Sequence, residues 1–399
     1  MRIYSRPLML VFLSLVTLWG VLAALVPTSG QRSLFFVNGR YPLWDHRNFR
    51  RMADVETPYR PQVPVRREDG AHILRQDICY PALVLLLLGL VPETPAGELA
   101  FVGLGLVAYL AAAHVFGLRY CPGSGWTYAG MLACVAPLVF SVQVGNTITF
   151  AAAAVLLFMA WHDAPSPGRR IAAACCLALA GVMKVTPVLL GLTYLGRGWR
   201  RNLGMIALSA SLTLLLLALP FLAYGGADGL VAWVENAGMN AAAYAERNEF
   251  GVYGVVASVV RMLGYWHDVP VWLLSVARAG SVALALSCLV FSLAERDALR
   301  RLMLISLGML FLPSTMMVYA GLYVLPVLLA AVSSPDAKLA KSAACAFFAL
   351  GAPLRIPLLF GSANACFSSV ALVDVALLLV GSRLGGLARK GGTDGKEDG

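Results

Sequence analysis

Charge is scarce in this chain: only 13% of its 399 residues are Asp, Glu, Lys or Arg, about half the share soluble domains carry. With 59% hydrophobic residues and a mean hydropathy of +0.75, a soluble fold is excluded. The eight cysteines form no CxxC pair and lie mostly inside apolar runs, which excludes a zinc ribbon or a disulfide framework. No internal repeat is present, nor the matching Gly/Pro-broken helices in two halves that mark many transporters. The alternating segments of a β-barrel are absent too, since the apolar runs are continuous and rich in Leu and Ala. The net charge of +10 is no sign of nucleic-acid binding, because the basic residues sit in short loops between apolar runs, where they fix orientation.

What is present is a series of apolar runs of about 20 residues, the length an α-helix needs to cross a bilayer core. The chain is therefore read as an all-α polytopic membrane protein. The first run follows Arg2 and Arg6 and ends near Pro27 without a small-residue cleavage site, so a retained helix with a cytoplasmic N-terminus is expected. The one long polar stretch, Thr28 to Ile78, comes next. A run from Tyr80 to Pro92 follows; it reaches about 20 Å, too short to span. Further runs cover 96–118, 126–143, 146–161, 171–195, 203–223, 271–294, 302–332, 342–360 and 366–382, with Pro313 dividing 302–332 into two helices. These runs predict one domain over residues 1–382 with about 11–13 transmembrane helices, and a disordered cytoplasmic tail over 383–399.

Six basic groups are expected in the cytoplasm: Arg119; Arg169 and Arg170; Arg197, Arg200 and Arg201; Arg296, Arg300 and Arg301; Lys338 and Lys341; and Arg383, Arg389 and Lys390. That requires 80–92 to re-enter from the outer side and 171–195 to form a hairpin of two short helices with its apex near Lys184 facing outward. Loops 28–78 and 225–250 then lie outside. The second agrees, with Asp228, Glu235, Glu246 and Glu249 against Arg247. The first carries an excess of Arg, which long loops tolerate and which offers cations to a phosphate.

Two residues stand out for chemistry. Asp45 lies in YPLWDHRNFRRM, where Trp44 and Phe49 suit an interfacial segment and Arg47, Arg50 and Arg51 supply cations. A carboxylate there can take a proton from a sugar hydroxyl hydrogen-bonded to it. A solvated acid on an interfacial helix has the same composition, and Asp54, Glu56, Glu68, Asp69 and Asp77 compete for the role. Lys184, in GVMKVTPVLL, puts an ammonium inside an apolar run at a cost of about 3 kcal/mol; such residues usually face a cavity and often mark function, unless they snorkel from a hairpin apex. Arg261 and Arg355, nearer the outer surface, are candidates for binding phosphate. Arg278 and Asp374 are a candidate structural pair, and His114 is expected to pack against neighbours. Gln143, Gly145 and Asn146 join two runs with almost no loop, as a tight helical turn requires.

Taken together, these stretches resemble the bacterial integral-membrane glycosyltransferases of the GT-C fold, specifically glycosyltransferase family 87, whose members are polyprenol-phosphate-mannose-dependent α-mannosyltransferases. The resemblance covers most of the chain in order. It rests on Asp45 after the first helix, Tyr80 with Pro81, Gly145 with Asn146, Lys184 with Thr186 and Pro187, Arg197 to Arg201 around Trp199, Asn248, and Pro313 with Ser314. KVTPVLLGLTYLGRGWRR is its most specific part. The chain departs from the pattern at Ala82 (usually Pro), Asn146 (Gln), Ile148 (Asn), and Glu249 with Phe250 (Gln-Ser). Val318 and Tyr319 stand near the positions of the usual late histidines. A diverged member is expected.

The resemblance implies a GT-C-like bundle in a bacterial cytoplasmic membrane with its active site on the outer face. By carry-over, Asp45 is the general base of an inverting transfer. Lys184 and Arg261 meet the donor phosphate, and Tyr80, Asn146, Asn248 and Tyr319 shape the site or bind substrate. The donor is a polyprenyl-phosphate sugar and the acceptor a glycolipid or glycan. No DxD motif is present, so neither a metal nor another cofactor is expected. A carrier or flippase for a lipid-linked sugar is the rival reading, and a ligase using a pyrophosphate donor a third.

Overall fold

Prolines and glycines divide the apolar sequence into helices of two kinds, long ones at the periphery and short ones inside. The structure, a computed structural model, describes residues 43–55, 58–59, 80–196, 199–244, 250–265, 269–312, 318–352, 357–358 and 361–391. In chain order the helices are α1 (Trp44–Ala53), α2 (Ala82–Gly89), α3 (Pro95–Tyr120), α4 (Gly125–Ala133), α5 (Ala136–Val144), α6 (Ile148–Trp161), α7 (Pro167–Met183) and α8 (Leu192–Leu195). They continue with α9 (Leu203–Ala218), α10 (Gly226–Tyr244), α11 (Gly251–Met262), α12 (Val271–Ala294), α13 (Ala298–Phe311), α14 (Leu325–Ala331), α15 (Ala337–Gly351) and α16 (Ala363–Gly391). Strands Pro357–Leu358 and Gly361–Ser362 pair antiparallel, with Pro357 opposite Ser362.

The chain is a polytopic helical membrane protein. Among the described residues, Pro95–Tyr120, Trp199–Ala223, Val271–Ala294 and Cys366–Leu384 are long and apolar enough to cross a membrane, and the pair α4 and α5, bent by 62°, is a fifth span if counted as one. Apolar side chains on these long helices stay exposed, among them Leu104 and Val107 on α3, Leu214 and Leu215 on α9, and Val271 and Trp272 on α12. They suit contact with acyl chains. Every residue of α13 from Leu302 to Phe311 is buried, as is most of α6. A helix that is apolar all round belongs in the interior, so several runs that look alike in sequence are short core helices rather than full spans. The first expected helix, before Pro27, lies outside the described residues.

The run 171–195 does double back. Helix α7 stops at Met183, four residues before Pro187, whose ring would clash with the Met183 carbonyl in a continued helix. The turn Thr186–Gly191 then packs on α7. Gly181 permits this contact, since a Cβ there would stand 2.5 Å from Val188 Cγ2. Lys184 sits in the break, in an extended backbone conformation.

Three expectations need correction. Residues 225–250 are not simply a loop, because Gly226–Tyr244 is helical. Leu230, Trp233 and Asn236 recur at helical spacing, and Trp233 and Asn236 are buried, a period that counting charges conceals. The run 342–360 is not one helix: α15 ends at Gly351, just before Pro353 in the sequence. The helix of the last run continues to Gly391 where a disordered tail was expected from 383; Leu384, Leu387 and Ala388 extend the apolar period past Arg383.

Candidate active site

Asp45 and Lys184, 139 positions apart in sequence, meet through two polar side chains. Asn146 Nδ2 donates to Asp45 Oδ2 at 2.6 Å and to Tyr80 Oη at 3.3 Å. Lys184 Nζ donates to the same Tyr80 hydroxyl at 2.6 Å and lies 4.1 Å from the centroid of the Tyr80 ring. Tyr319 closes the other side, its ring centroid 5.6 Å from Lys184 Nζ, and it stacks on Phe140. The ammonium therefore stands between two aromatic faces, an arrangement that stabilises a partly desolvated cation.

Local structure explains each position. Asn146 is buried, and its Oδ1 accepts the Ile148 N–H at 2.9 Å; this fixes which way the amide faces and aims Nδ2 at the carboxylate. Gly145 caps α5 in the left-handed region at φ 67°, the helical turn the sequence predicts. It does more than end the helix, because a Cβ there would stand 2.7 Å from His46 Cβ. The bare glycine lets α1 lie directly on the turn. Leu43, just before α1, also has a positive φ of 59°, uncommon without glycine, and its N–H donates to the Gln143 carbonyl at 2.7 Å. These contacts bring Asp45, in the first turn of α1, to Asn146.

Helix α1 is amphipathic. His46, Phe49 and Met52 turn inward while Arg47 and Arg51 stay exposed. Arg47 grips Glu98 with two bonds, at 2.6 and 2.7 Å, and Arg50 donates to the Val91 carbonyl at 2.7 Å, so α1 is tied to α3 and to the α2–α3 turn. Tyr80 is held at three points. Phe49 packs on its ring with centroids 4.2 Å apart, Tyr59 Oη donates to its carbonyl at 2.9 Å, and Lys184 and Asn146 donate to its hydroxyl. Asn236 of α10 donates in turn to the Tyr59 carbonyl at 3.0 Å, and Tyr224 to the Ala53 carbonyl at 3.1 Å.

Burial pushes the Asp45 carboxyl above its ordinary value, while the Asn146 hydrogen bond and the Lys184 charge pull it back. The result is a carboxylate more basic than one in water, with a fixed donor on one oxygen. Burial lowers His46, with the Arg50 and Arg47 charges in the same direction and Glu98 opposing, so its imidazole is neutral near pH 7.

Asp54, one competitor for the role of base, is exposed and paired with Arg50 at 2.6 Å. Glu56, Glu68, Asp69 and Asp77 lie outside the described residues, as do Asn248, Arg355, Pro313 and Ser314. Arg261 ends α11, a helix that packs mainly on α12 and α16 rather than on the elements of the cluster. Arg278 and Asp374 make no ion pair: Arg278 lies over the Tyr253 ring at 5.0 Å, and Asp374 is exposed. His114 packs on Trp126, ring centroids 4.1 Å apart. Among the described residues no group of three or more His, Cys, Asp or Glu is placed to hold a metal ion. Sequence reading missed Tyr59, Tyr224 and Asn236, which support the site from loops and helices remote in sequence. For Asn236 the period Leu230, Trp233, Asn236 on α10 was an available signal.

The cluster sits at the N-terminal end of α6, whose 14 residues measure about 21 Å. At the other end, Arg119 pairs with Asp163 at 3.0 Å, and the charges of Arg119 and Arg301 reach His162. The Asp45 carboxylate and these basic residues thus lie at opposite ends of one core helix.

The family model described as glycosyltransferase family 87 matches residues 80–320, more than half of the chain. No curated protein and no solved structure matches it. The matched stretch contains Tyr80, Asn146, Lys184 and Tyr319 and stops short of Asp45, which joins them through the fold alone.

Proposed function

The chain belongs to glycosyltransferase family 87, and from that premise we propose that it transfers mannose from a polyprenyl-phosphate donor to a lipid-linked or cell-envelope glycan at the outer face of a bacterial cytoplasmic membrane. The observation that carries this reading is the hydrogen-bonded series Asp45–Asn146–Tyr80–Lys184. It holds a carboxylate and an ammonium in one site, as a transfer that releases a proton and a phosphate requires.

In this mechanism the acceptor hydroxyl attacks the anomeric carbon from the face opposite the phosphate, so the configuration inverts. Asp45 Oδ accepts the hydroxyl proton as the new C–O bond forms. The bond from the anomeric carbon to the phosphate oxygen breaks, and its electron pair leaves with the polyprenyl phosphate, which gains one negative charge. Lys184 faces that charge in a site of low dielectric, where a preset cation is worth more than in water. Asn146 keeps the carboxylate aimed and restrains its basicity. Tyr80 holds the ammonium until phosphate oxygens replace its hydroxyl as acceptor.

The test supplies membranes with radiolabelled polyprenyl phosphate mannose, with and without the protein. Protein-dependent movement of label into a glycan or glycolipid is expected. Movement of the intact donor across the bilayer with no new glycosidic bond would favour the carrier reading instead.

A further inference from the structure

At the end of the molecule remote from Asp45, helices α13, α15 and α16 line a half-open cavity of about 260 Å³. One wall is Leu377 and Leu378, on the membrane-crossing segment Cys366–Leu384; Leu377 is 56% exposed. The rim carries Arg300, Asp336 and Lys338. The Asp336 carboxylate is already engaged, since it pairs with Arg300 at 2.9 Å and accepts the backbone N–H groups of Lys338 and Leu339. Lys338 is exposed and has no ion-pair partner among the described residues. Gly381 also lines the cavity and is exposed, and an added Cβ there would meet nothing within 4 Å.

An apolar wall on a membrane span, ending at a surplus cation, has the shape and charge order of a phospholipid. We propose that this groove binds an anionic phospholipid from the adjacent leaflet, its phosphate on Lys338 and Arg300 and an acyl chain along Leu377 and Leu378. Basic pockets between transmembrane helices bind such headgroups, with each cation contributing about fivefold in affinity. The site is distinct from the cluster around Asp45 and does not depend on the transfer mechanism.

The full-length protein, purified in detergent, is titrated with phosphatidylglycerol, with phosphatidylcholine of the same chains, and with inorganic phosphate, and bound lipid is read by native mass spectrometry. Phosphatidylglycerol is expected to bind more tightly than phosphatidylcholine, and phosphate alone should neither bind nor displace it. Lys338→Glu exchanges an attractive charge for a repulsive one and should weaken phosphatidylglycerol binding by roughly 25-fold. The new acid lies in the first turn of α15, where it favours the helix, so stability in the absence of lipid should not fall. Gly381→Leu, which adds a bulky side chain to the lining of the cavity, should also weaken binding. Equal affinity for the two lipids, binding of phosphate alone, or wild-type lipid affinity in either variant would overturn the proposal.

Discussion

Gly145 and His46 touch through the one surface a glycine leaves bare: a Cβ on Gly145 would lie 2.7 Å from the His46 Cβ, and Gly145 holds φ at 67°. This contact sets the height at which α1 rests on the turn between α5 and α6, and so the reach of Asp45 to Asn146. Gly145→Ala meets both obstacles. The left-handed conformation costs about 1–2 kcal/mol once a Cβ is present, and overpacking adds about 1–3 kcal/mol. A lower unfolding temperature in detergent and a loss of transfer are expected together. Wild-type values of both would show that the α1 contact is slack.

Asp45→Asn is expected to lose about 10²- to 10⁴-fold in transfer rate, the contribution of general-base catalysis. Asp54→Asn, at an exposed residue paired with Arg50, should retain activity. Equal losses in the two would point to a diffuse electrostatic effect rather than a single base.

The pH dependence follows from the raised Asp45 value. A folded-state value above the unfolded one means that the folded protein favours the protonated carboxyl. The resulting stability is fully present below the unfolded value and is lost as pH rises through the folded one. At neutral pH, Asp45→Asn should therefore be no less stable than the wild type. The acid limb of the transfer rate should lie above the ordinary carboxylate range. Asn146→Ala removes the hydrogen bond that lowers the Asp45 value and should move that limb to higher pH. A limb that stays in place in this variant would separate Asn146 from the titrating group.

Lys184→Met removes the cation offered to the donor phosphate and should raise the donor concentration needed for half-maximal transfer, or abolish transfer, while the protein remains folded. Tyr80→Phe keeps the ring over Lys184 and removes the acceptor shared by Lys184 and Asn146. Leaving a buried polar group without its partner costs about 1–3 kcal/mol, so a smaller loss is expected. Donor-dependence curves for the two variants check the order. Normal transfer by Lys184→Met would reduce Lys184 to a snorkelling residue at a hairpin apex.

Sidedness can be read with a membrane-impermeant thiol reagent. Glu93 is exposed in the α2–α3 turn, beside the Arg50 contact to Val91. Ser166 is exposed near Asp163 at the basic end of the molecule. In intact cells, after controls for native thiols, Glu93→Cys should be labelled and Ser166→Cys only after lysis. The reverse pattern would put the Asp45 cluster on the cytoplasmic side.

Composition and local chain chemistry fix the solvent of this protein and some of its helix ends. Low charge and long apolar runs leave only a helical membrane fold, and Pro187 and Gly145 end α7 and α5 through backbone geometry that acts over a few residues. Lys184 was legible for the same reason, since a charge inside an apolar run is visible without any partner. Only the packing of the helices separates lipid-facing spans from core helices, because hydropathy does not tell lipid from protein interior: α12 and α13 are both apolar, yet α13 is buried from Leu302 to Phe311. It also separates the surroundings of Asp45 and Asp54, which composition leaves alike and between which only the family resemblance prefers Asp45. Both acids sit on one short basic stretch, and only the packing of α1 on Gly145, with the Asn146 amide fixed by the Ile148 N–H, turns one carboxylate toward Lys184 and leaves the other at the surface.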